Sequence, residues 1–368
     1  LRPDGVKATV KLEPVFEGDK GRGIQAYWNL HTQALFAPHI AAIQKAAGCY
    51  RLDCGRGVRL TMASGMNNID IGRWMTDCTR DGARFFQERD CSAFDACMQL
   101  EHLRLKLSIY SVGGEALCRF MESCAIVTGV FRKRGAYIKY RVNYTVKSGQ
   151  NDTSIGNGIV NAAITVQSMW ACGLSGDVII AGDDLLIALP HDFDEHALAD
   201  EERRYGVIPK YRKFYCPFAC TFISGCFYPG VDGSFLFGPM LGRQCGKLFW
   251  TVSDVPDRKR VEFASGVAAG LYPCCAGLPI LGVMLSTQMR DHKRIILKHG
   301  YSLVKQEFSP DILSFVCHKY GITPGDVREI EQLYVVNQGR SSVIRHPALD
   351  HVISHDLRKI GERSYFLF

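Results

Sequence analysis

An α+β fold is predicted for this chain by three observations. Two apolar runs, residues 177–181 and 185–189, flank the polar turn Gly182-Asp183-Asp184, the pattern of a β-hairpin with acidic residues at its tip. Leu103, Leu107 and Tyr110 recur at i, i+4 and i+7, the spacing of one helix face. Beyond residue 241 the chain reads as mainly helical. The other elements follow in order. Lys7, Lys11, Lys20 and Arg22 lie among Gly18, Gly21 and Gly23, which predicts a basic loop or hairpin over the first 25 residues. Residues 84–90 read as a strand closed by Asp90, after which Asp95 is expected to cap the helix that carries Leu103. Residues 131–147 are basic and aromatic with strand-like alternation and lead into Ser148-Gly149; a helix is expected from Thr153. Residues 194–205 read as a charged helix ended by Gly206, and 219–237 as a hairpin through Pro229-Gly230.

The 368 residues allow two to three ordinary domains or one composite body. A hydrophobic fraction of 47%, with 20 Phe, 15 Tyr and 4 Trp, excludes disordered, collagen-like and mucin-like chains. Lys plus Arg at 44 against Asp plus Glu at 37 gives +7, a balance that favours a polyanionic partner without proving one. Fifteen cysteines are scattered without regular spacing, and with no secretory leader they point to ordinary thiols in a reducing compartment. Cys216, Cys220 and Cys226, with His191 or His196, fit no standard zinc spacing. Residues 263–289 carry no formal charge but are broken by Pro273, Pro279 and four glycines, so two packed helices around a Pro-rich turn are expected, not a membrane span. No internal repeat or low-complexity tract stands out.

The chemistry begins with carboxylates. Asp183 and Asp184 stand where apolar strands turn, where like charges lose hydration and repel one another unless they share a cation. Asp90, at the end of another strand, is placed to add a third carboxylate. Oxygen donors of this kind suit Mg²⁺ or Mn²⁺, and two such ions serve phosphoryl transfer. A Gly-Asp-Asp triplet alone is expected about 0.14 times by chance, whereas Ser148-Gly149-x3-Thr153-x3-Asn157 is expected only about 0.002 times, so the second pattern carries the weight. Thr153, Asn157 and Asn161 share a helix face at i, i+4 and i+8, a neutral hydrogen-bonding stripe suited to a ribose hydroxyl and backbone.

These residues carry a resemblance. Asp90-x4-Asp95, the Ser148–Asn157 pattern and Gly182-Asp183-Asp184 resemble, in order and rough spacing, motifs A, B and C of RNA-directed RNA polymerases of positive-strand RNA viruses. Lys11-x-Glu13 with Lys20-x-Arg22 resembles the basic motif F, Gly206 to Lys210 resembles motif D, and Cys220 to Tyr228 resembles the motif E hairpin that grips the primer. Ser64 to Asn67, and Glu101-His102 with Ile109-Tyr110, look most like tombusvirus-like and nodavirus-like members.

The resemblance implies a right-hand architecture. Residues 1–83 would be partial fingers with motif F at 7–25, 84–106 palm, 107–139 a fingers insertion, 140–240 palm with motifs B to E, and 241–368 a mainly helical thumb. With motif F so near Leu1, upstream fingers including motif G are expected outside this sequence. Asp90, Asp183 and, more weakly, Asp184 would bind Mg²⁺ or Mn²⁺. Lys11, Lys20 and Arg22 would hold the triphosphate, and Asp95 and Asn157, helped by Ser148, Gly149 and Thr153, would recognise the ribose 2′-hydroxyl. Lys210 would protonate the leaving pyrophosphate, with Lys213 three residues on as the other lysine in reach. The reaction implied is attack of an RNA 3′-hydroxyl on the α-phosphate of a templated nucleoside triphosphate during genome replication. Its partners would be template and nascent RNA, nucleoside triphosphates and further viral or host replication factors. The setting would be the host cell cytoplasm, with membrane-bound replication complexes reached through other regions.

Two rivals remain open. A non-catalytic single-strand RNA-binding module is favoured by the charge and by Phe131, Arg132, Lys133, Arg134, Tyr137, Lys139, Tyr140 and Arg141, but leaves the three carboxylates unexplained. Another two-metal nucleotidyltransferase such as a reverse transcriptase is disfavoured, since Gly182 stands where those enzymes usually carry an aromatic residue. No G-x4-G-K-[ST], G-x-S-x-G or H-E-x-x-H signature is present.

Overall fold

The computed structural model describes residues 5–10, 23–27, 30–48, 51–133, 135–249, 255–289, 305–337 and 343–357. The chain divides into two compact units, residues 1–65 with 83–213, and residues 66–82 with 214–368.

The first unit contains β1 (Val6–Val10), β2 (Gly23–Tyr27), α1 (Leu30–Ala47), β3 (Arg51–Asp53) and β4 (Val58–Met62). After α2 (Asn68–Arg80), which belongs to the second unit, it continues with β5 (Phe85–Cys91), α3 (Phe94–Cys97), α4 (Leu100–Tyr110), α5 (Glu115–Ser123), β6 (Ile126–Lys133) and β7 (Ala136–Asn143). It closes with α6 (Thr153–Ala171), β8 (Gly176–Ala181), β9 (Asp184–Leu189), α7 (Glu195–Arg203) and β10 (Pro209–Phe214). Six strands form a mixed sheet in the order β10-β5-β9-β8-β4-β3. β8 and β9 are antiparallel and pair Ala181 with Asp184, so the connection is the two-residue turn Gly182-Asp183. Gly182 takes φ +68°, the positive value that a tight hairpin turn asks of its first central residue.

The runs that predict this hairpin are its buried centre. Val178, Ile180, Leu185, Ile187 and Leu189 pack with Ala162, Val166 and Met169 of α6. β8 is anchored at its far end by the buried Asp177, which accepts from Arg59 Nη2 at 2.5 Å and from Arg51 Nε at 2.8 Å. A second sheet, in the order β2-β1-β6-β7, has β1 parallel to β6 and its other neighbours antiparallel. Val6, Tyr27 and Val127 turn one face of it into a core with Phe36, Tyr110 and Ile155.

In the second unit α2 packs on β13 (Phe235–Pro239), where Gly72 allows the strand so close that a Cβ there would lie 2.5 Å from Phe235 O. β13 pairs with β12 (Gly225–Pro229), which pairs with β11 (Thr221–Phe222). The helices are α8 (Leu241–Lys247), α9 (Arg260–Cys275), α10 (Leu281–Met289), α11 (Ile312–Tyr320), α12 (Pro324–Val336) and α13 (Pro347–Leu357). Residues 263–289 are indeed two packed helices, α9 and α10, and no described helix is long and apolar enough to cross a membrane.

One local expectation is corrected. Asp95 does not cap a helix. Ala93 adopts a left-handed φ of 50° and turns the chain one step early, so Asp95 falls inside the first turn of α3, while α4 starts separately at Gln99. There the Gln99 N–H donates to His102 Nδ1 at 3.0 Å. The strand-like alternation expected over 131–147 falls on the end of β6 and on β7, which form a hairpin with Gly135 at φ +83° between them. The hairpin expected over 219–237 through Pro229-Gly230 is borne out as β12–β13, within a three-stranded sheet.

Candidate active site

The geometry of the acidic turn follows from strand register. β5 runs antiparallel to β9 and pairs Arg89 with Leu185, so Asp90 and Asp184 are the next residues along each strand. Asp183 sits exposed at the turn and Asp90 is half-buried beside it. The two carboxylates are near enough to feel one another. Burial raises the Asp90 carboxyl above its ordinary value of 3.8 and the charge of Asp183 raises it further, while Lys210, exposed on β10, pulls it down. Asp90, Asp183, Asp184 and Lys210, distant in sequence, thus meet at one end of the six-stranded sheet.

The α6 side chains converge there too. Asn157 Nδ2 donates to Asp95 Oδ1 at 2.6 Å, and the buried Asn157 Oδ1 has no hydrogen-bond partner. Burial raises the Asp95 carboxyl, Asn157 lowers it, and Asp183 raises it through its charge. One turn further along α6, Asn161 Nδ2 donates to Gly182 O at 3.0 Å and Asp183 O at 3.3 Å, tying the helix to the acidic turn. Thr153 faces elsewhere and donates to Lys147 O and Gln150 O at 3.0 and 2.8 Å, so it caps the turn before α6 and holds its shape.

Ser148 and Gly149 are stapled to the other sheet. Ser148 Oγ accepts from the Gln25 N–H at 3.2 Å, Gly149 N donates to Gln25 O at 2.8 Å, and Gln33 Nε2 donates to Gly149 O at 2.9 Å. Lys11, Lys20 and Arg22 lie outside the described residues. Lys213 is engaged away from the turn. It donates to Phe193 O at 2.8 Å and pairs with Asp192.

Residues that the local pattern did not reveal support this end of the sheet. Arg89 and Glu202 are both 2% exposed and form an ion pair at 3.0 Å. Burial is the largest single influence on Arg89 and opposes its charge, but Glu202, Cys91 and Asp90 together favour it and hold the guanidinium above its ordinary value. The signal lay in α7, where Leu198, Ala199 and Glu202 share the inward face. Beneath the Ser148-Gly149 turn, Lys106 Nζ donates to Asp152 Oδ2 at 3.1 Å and Tyr110 Oη to the same oxygen at 3.4 Å. Lys147, 2% exposed, donates to Cys124 O at 2.8 Å, and burial pulls its ammonium down to about 8.

Among the described residues no group of three or more His, Cys, Asp and Glu side chains gathers to hold a metal, at the cysteines or elsewhere. The interacting pair Asp90 and Asp183 still fits Mg²⁺, which is commonly bound by one or two carboxylates with its shell completed by water and substrate phosphates. Their mutual repulsion is what a shared cation relieves.

No curated protein sequence matches the chain. A family model described as RNA dependent RNA polymerase matches residues 5–220, more than half of the chain and the whole of the site just described. The chain belongs to that family, as an RNA-dependent RNA polymerase of a positive-strand RNA virus and therefore a nucleotidyltransferase.

Proposed function

We propose that the chain carries out templated, metal-assisted phosphoryl transfer from nucleoside triphosphates to an RNA 3′-hydroxyl during genome replication. The observation that carries this reading is the charge interaction between Asp90, at the end of β5, and Asp183, in the turn that leads into the neighbouring β9, with the Asp95–Asn157 pair alongside. Asp90 and Asp183 would hold divalent cations, with Asp184 next in line, and the bound metal would supply charge neutralisation for the attacking hydroxyl and the leaving pyrophosphate. Asp95 Oδ and the unpartnered Asn157 Oδ1 offer acceptors for a ribose 2′-hydroxyl, which a deoxyribose lacks. Lys210 is the cation on the rim of the site, suited to donate a proton to pyrophosphate. Under this reading residues 84–106 and 140–240 act as palm, the N-terminal residues and 107–139 as fingers, and 241–368 as thumb, working in the host cell cytoplasm.

Asp183→Ala should reduce Mg²⁺-dependent incorporation on an RNA template to background while preserving the circular dichroism spectrum and RNA affinity. Turnover at the wild-type rate would refute the assignment.

The reading as a non-catalytic RNA-binding module has one specific observation behind it. In the β2-β1-β6-β7 sheet the register aligns Lys7, Val130 and Lys139 in one row and pairs Arg132 with Tyr137 and Thr128 with Arg141, so these residues share a face. Lys7, Arg132, Tyr137, Lys139 and Arg141 are exposed, Arg132 lies 5.0 Å over the Tyr137 ring, and the four strands contain no acidic residue. Such a face suits single-stranded RNA. It serves a polymerase equally well as a holding surface for template, whereas RNA binding alone gives no reason to bring Asp90 and Asp183 together.

A further inference from the structure

Arg89 precedes Asp90 by one residue, so strand alternation sends its side chain to the opposite face of the sheet. There the guanidinium donates through Nη2 to Asn161 Oδ1 and to Thr165 Oγ1, the latter at 2.7 Å, and through Nη1 to Cys91 Sγ at 2.9 Å. Its Nε faces Glu202 Oε1. Asn161, Thr165, Arg89 and Glu202 are all buried.

An amide side chain has one accepting and one donating end, and its surroundings decide which end points where. A guanidinium only donates, so the Asn161 end facing Arg89 must be the oxygen. The Asn161 amide nitrogen then faces the carbonyls of Gly182 and Asp183, both of which only accept. Inverting Asn161 would oppose donor to donor at one end and acceptor to acceptor at the other. The turn so held contains Gly182 at positive φ, a residue without a Cβ to restrict its backbone. A buried ion pair is a poor source of stability compared with apolar packing, so its position here calls for another reason. The residue next to Asp90 is linked through a single side chain, Asn161, to the peptide that carries Asp183.

We propose that Arg89 and Asn161 are positioning residues, a relay across the back of the sheet that fixes the Asp183 turn relative to Asp90. The proposal rests on the reading of these two aspartates as the metal-binding pair.

Asn161→Asp keeps an oxygen for Arg89 and nearly the same volume but loses both bonds to the turn. In the full chain, amide hydrogen exchange in the peptide spanning 182–184 should accelerate, and Mn²⁺ binding, read by electron paramagnetic resonance, should weaken by about tenfold, the range found when a partner behind a metal ligand is removed. Thr165→Val removes a different bond to the same guanidinium without touching the turn, and should leave both measurements at the wild-type value. Unchanged exchange at 182–184 in Asn161→Asp overturns the relay, as does equal acceleration in Thr165→Val, which would mark general loosening of the sheet. If Asn161→Asp does not fold, Asn161→Ala is read by the same two measurements. A wild-type chain that binds no Mn²⁺ and incorporates no nucleotide would defeat the metal reading, and the exchange comparison would still decide the relay.

Discussion

Asn157 Nδ2 and Asp95 Oδ1 lie 2.6 Å apart, so the side chain of one α6 residue and the carboxylate of the short helix after β5 fix each other's orientation. Polar groups aimed at a substrate hydroxyl discriminate strongly against an analogue that lacks it, because they are then left unpaired in a buried site. Asp95→Ala should therefore relax selection against deoxynucleotides, lowering the ratio of kcat/KM for NTP over dNTP by about tenfold or more. Asn157→Ala should move the ratio in the same direction. An unchanged ratio in both variants would remove the pair from sugar recognition.

Asp90 and Asp183 set a pH dependence whose sign can be worked out. The folded Asp90 carboxyl is raised by burial and then by Asp183, so the folded chain keeps a proton through a range in which the unfolded chain has lost it. Stability therefore declines as pH rises from the ordinary value of 3.8 through the raised one. Asp183→Asn should bring the Asp90 carboxyl down and flatten that decline, raising Tm at neutral pH even as incorporation is lost. Carboxyl NMR titration of Asp90 and melting curves across the acidic range check the two halves of this expectation. In the wild type, metal binding should weaken with acidification from a higher pH than ordinary carboxylates would give.

Asp152 is a stability prediction. It is 1% exposed and accepts from Lys106 and Tyr110, with the buried Lys147 close by. Removing one partner of a buried ion pair leaves a charge without compensation, so Asp152→Ala should cost about 3–5 kcal/mol. Asp152→Asn, which keeps an acceptor, should cost less. Urea denaturation midpoints measure both.

The sheet face bearing Lys7, Arg132, Lys139 and Arg141 should be read by salt. Lys139→Glu and Arg141→Glu should each weaken binding of single-stranded RNA across sequences and reduce the slope of log affinity against log salt by about one, as expected for a lost phosphate contact. Fluorescence anisotropy at several salt concentrations gives the slope. The maximal incorporation rate at saturating template should hardly change, since the face is separate from the carboxylates.

The acidic turn was legible because two apolar runs with the right residues between them can scarcely pack otherwise, and Asp90 was legible as the last polar residue of a strand. The spacing of Thr153, Asn157 and Asn161 predicted a shared helix face, but their partners diverge. Asn157 meets Asp95, Asn161 meets the turn, and Thr153 bonds only to the loop before its own helix. Arg89 was hidden because an arginine in a strand ordinarily reads as solvated, and its partners on α6 and α7 lie 72 to 113 residues away along the chain. Asp95 was misplaced by one backbone angle at Ala93, a residue whose type gives no hint of a left-handed turn.

The antiparallel pairing of β5 with β9 also constrains how the protein comes into being. Residues 85–91 have no β9 neighbour until residues 184–189 have left the ribosome, about a hundred residues later. During that interval a nascent chain presents an unzipped edge that invites association with other chains. Interruption of translation between the two strands would yield a product with no functional centre and a tendency to aggregate.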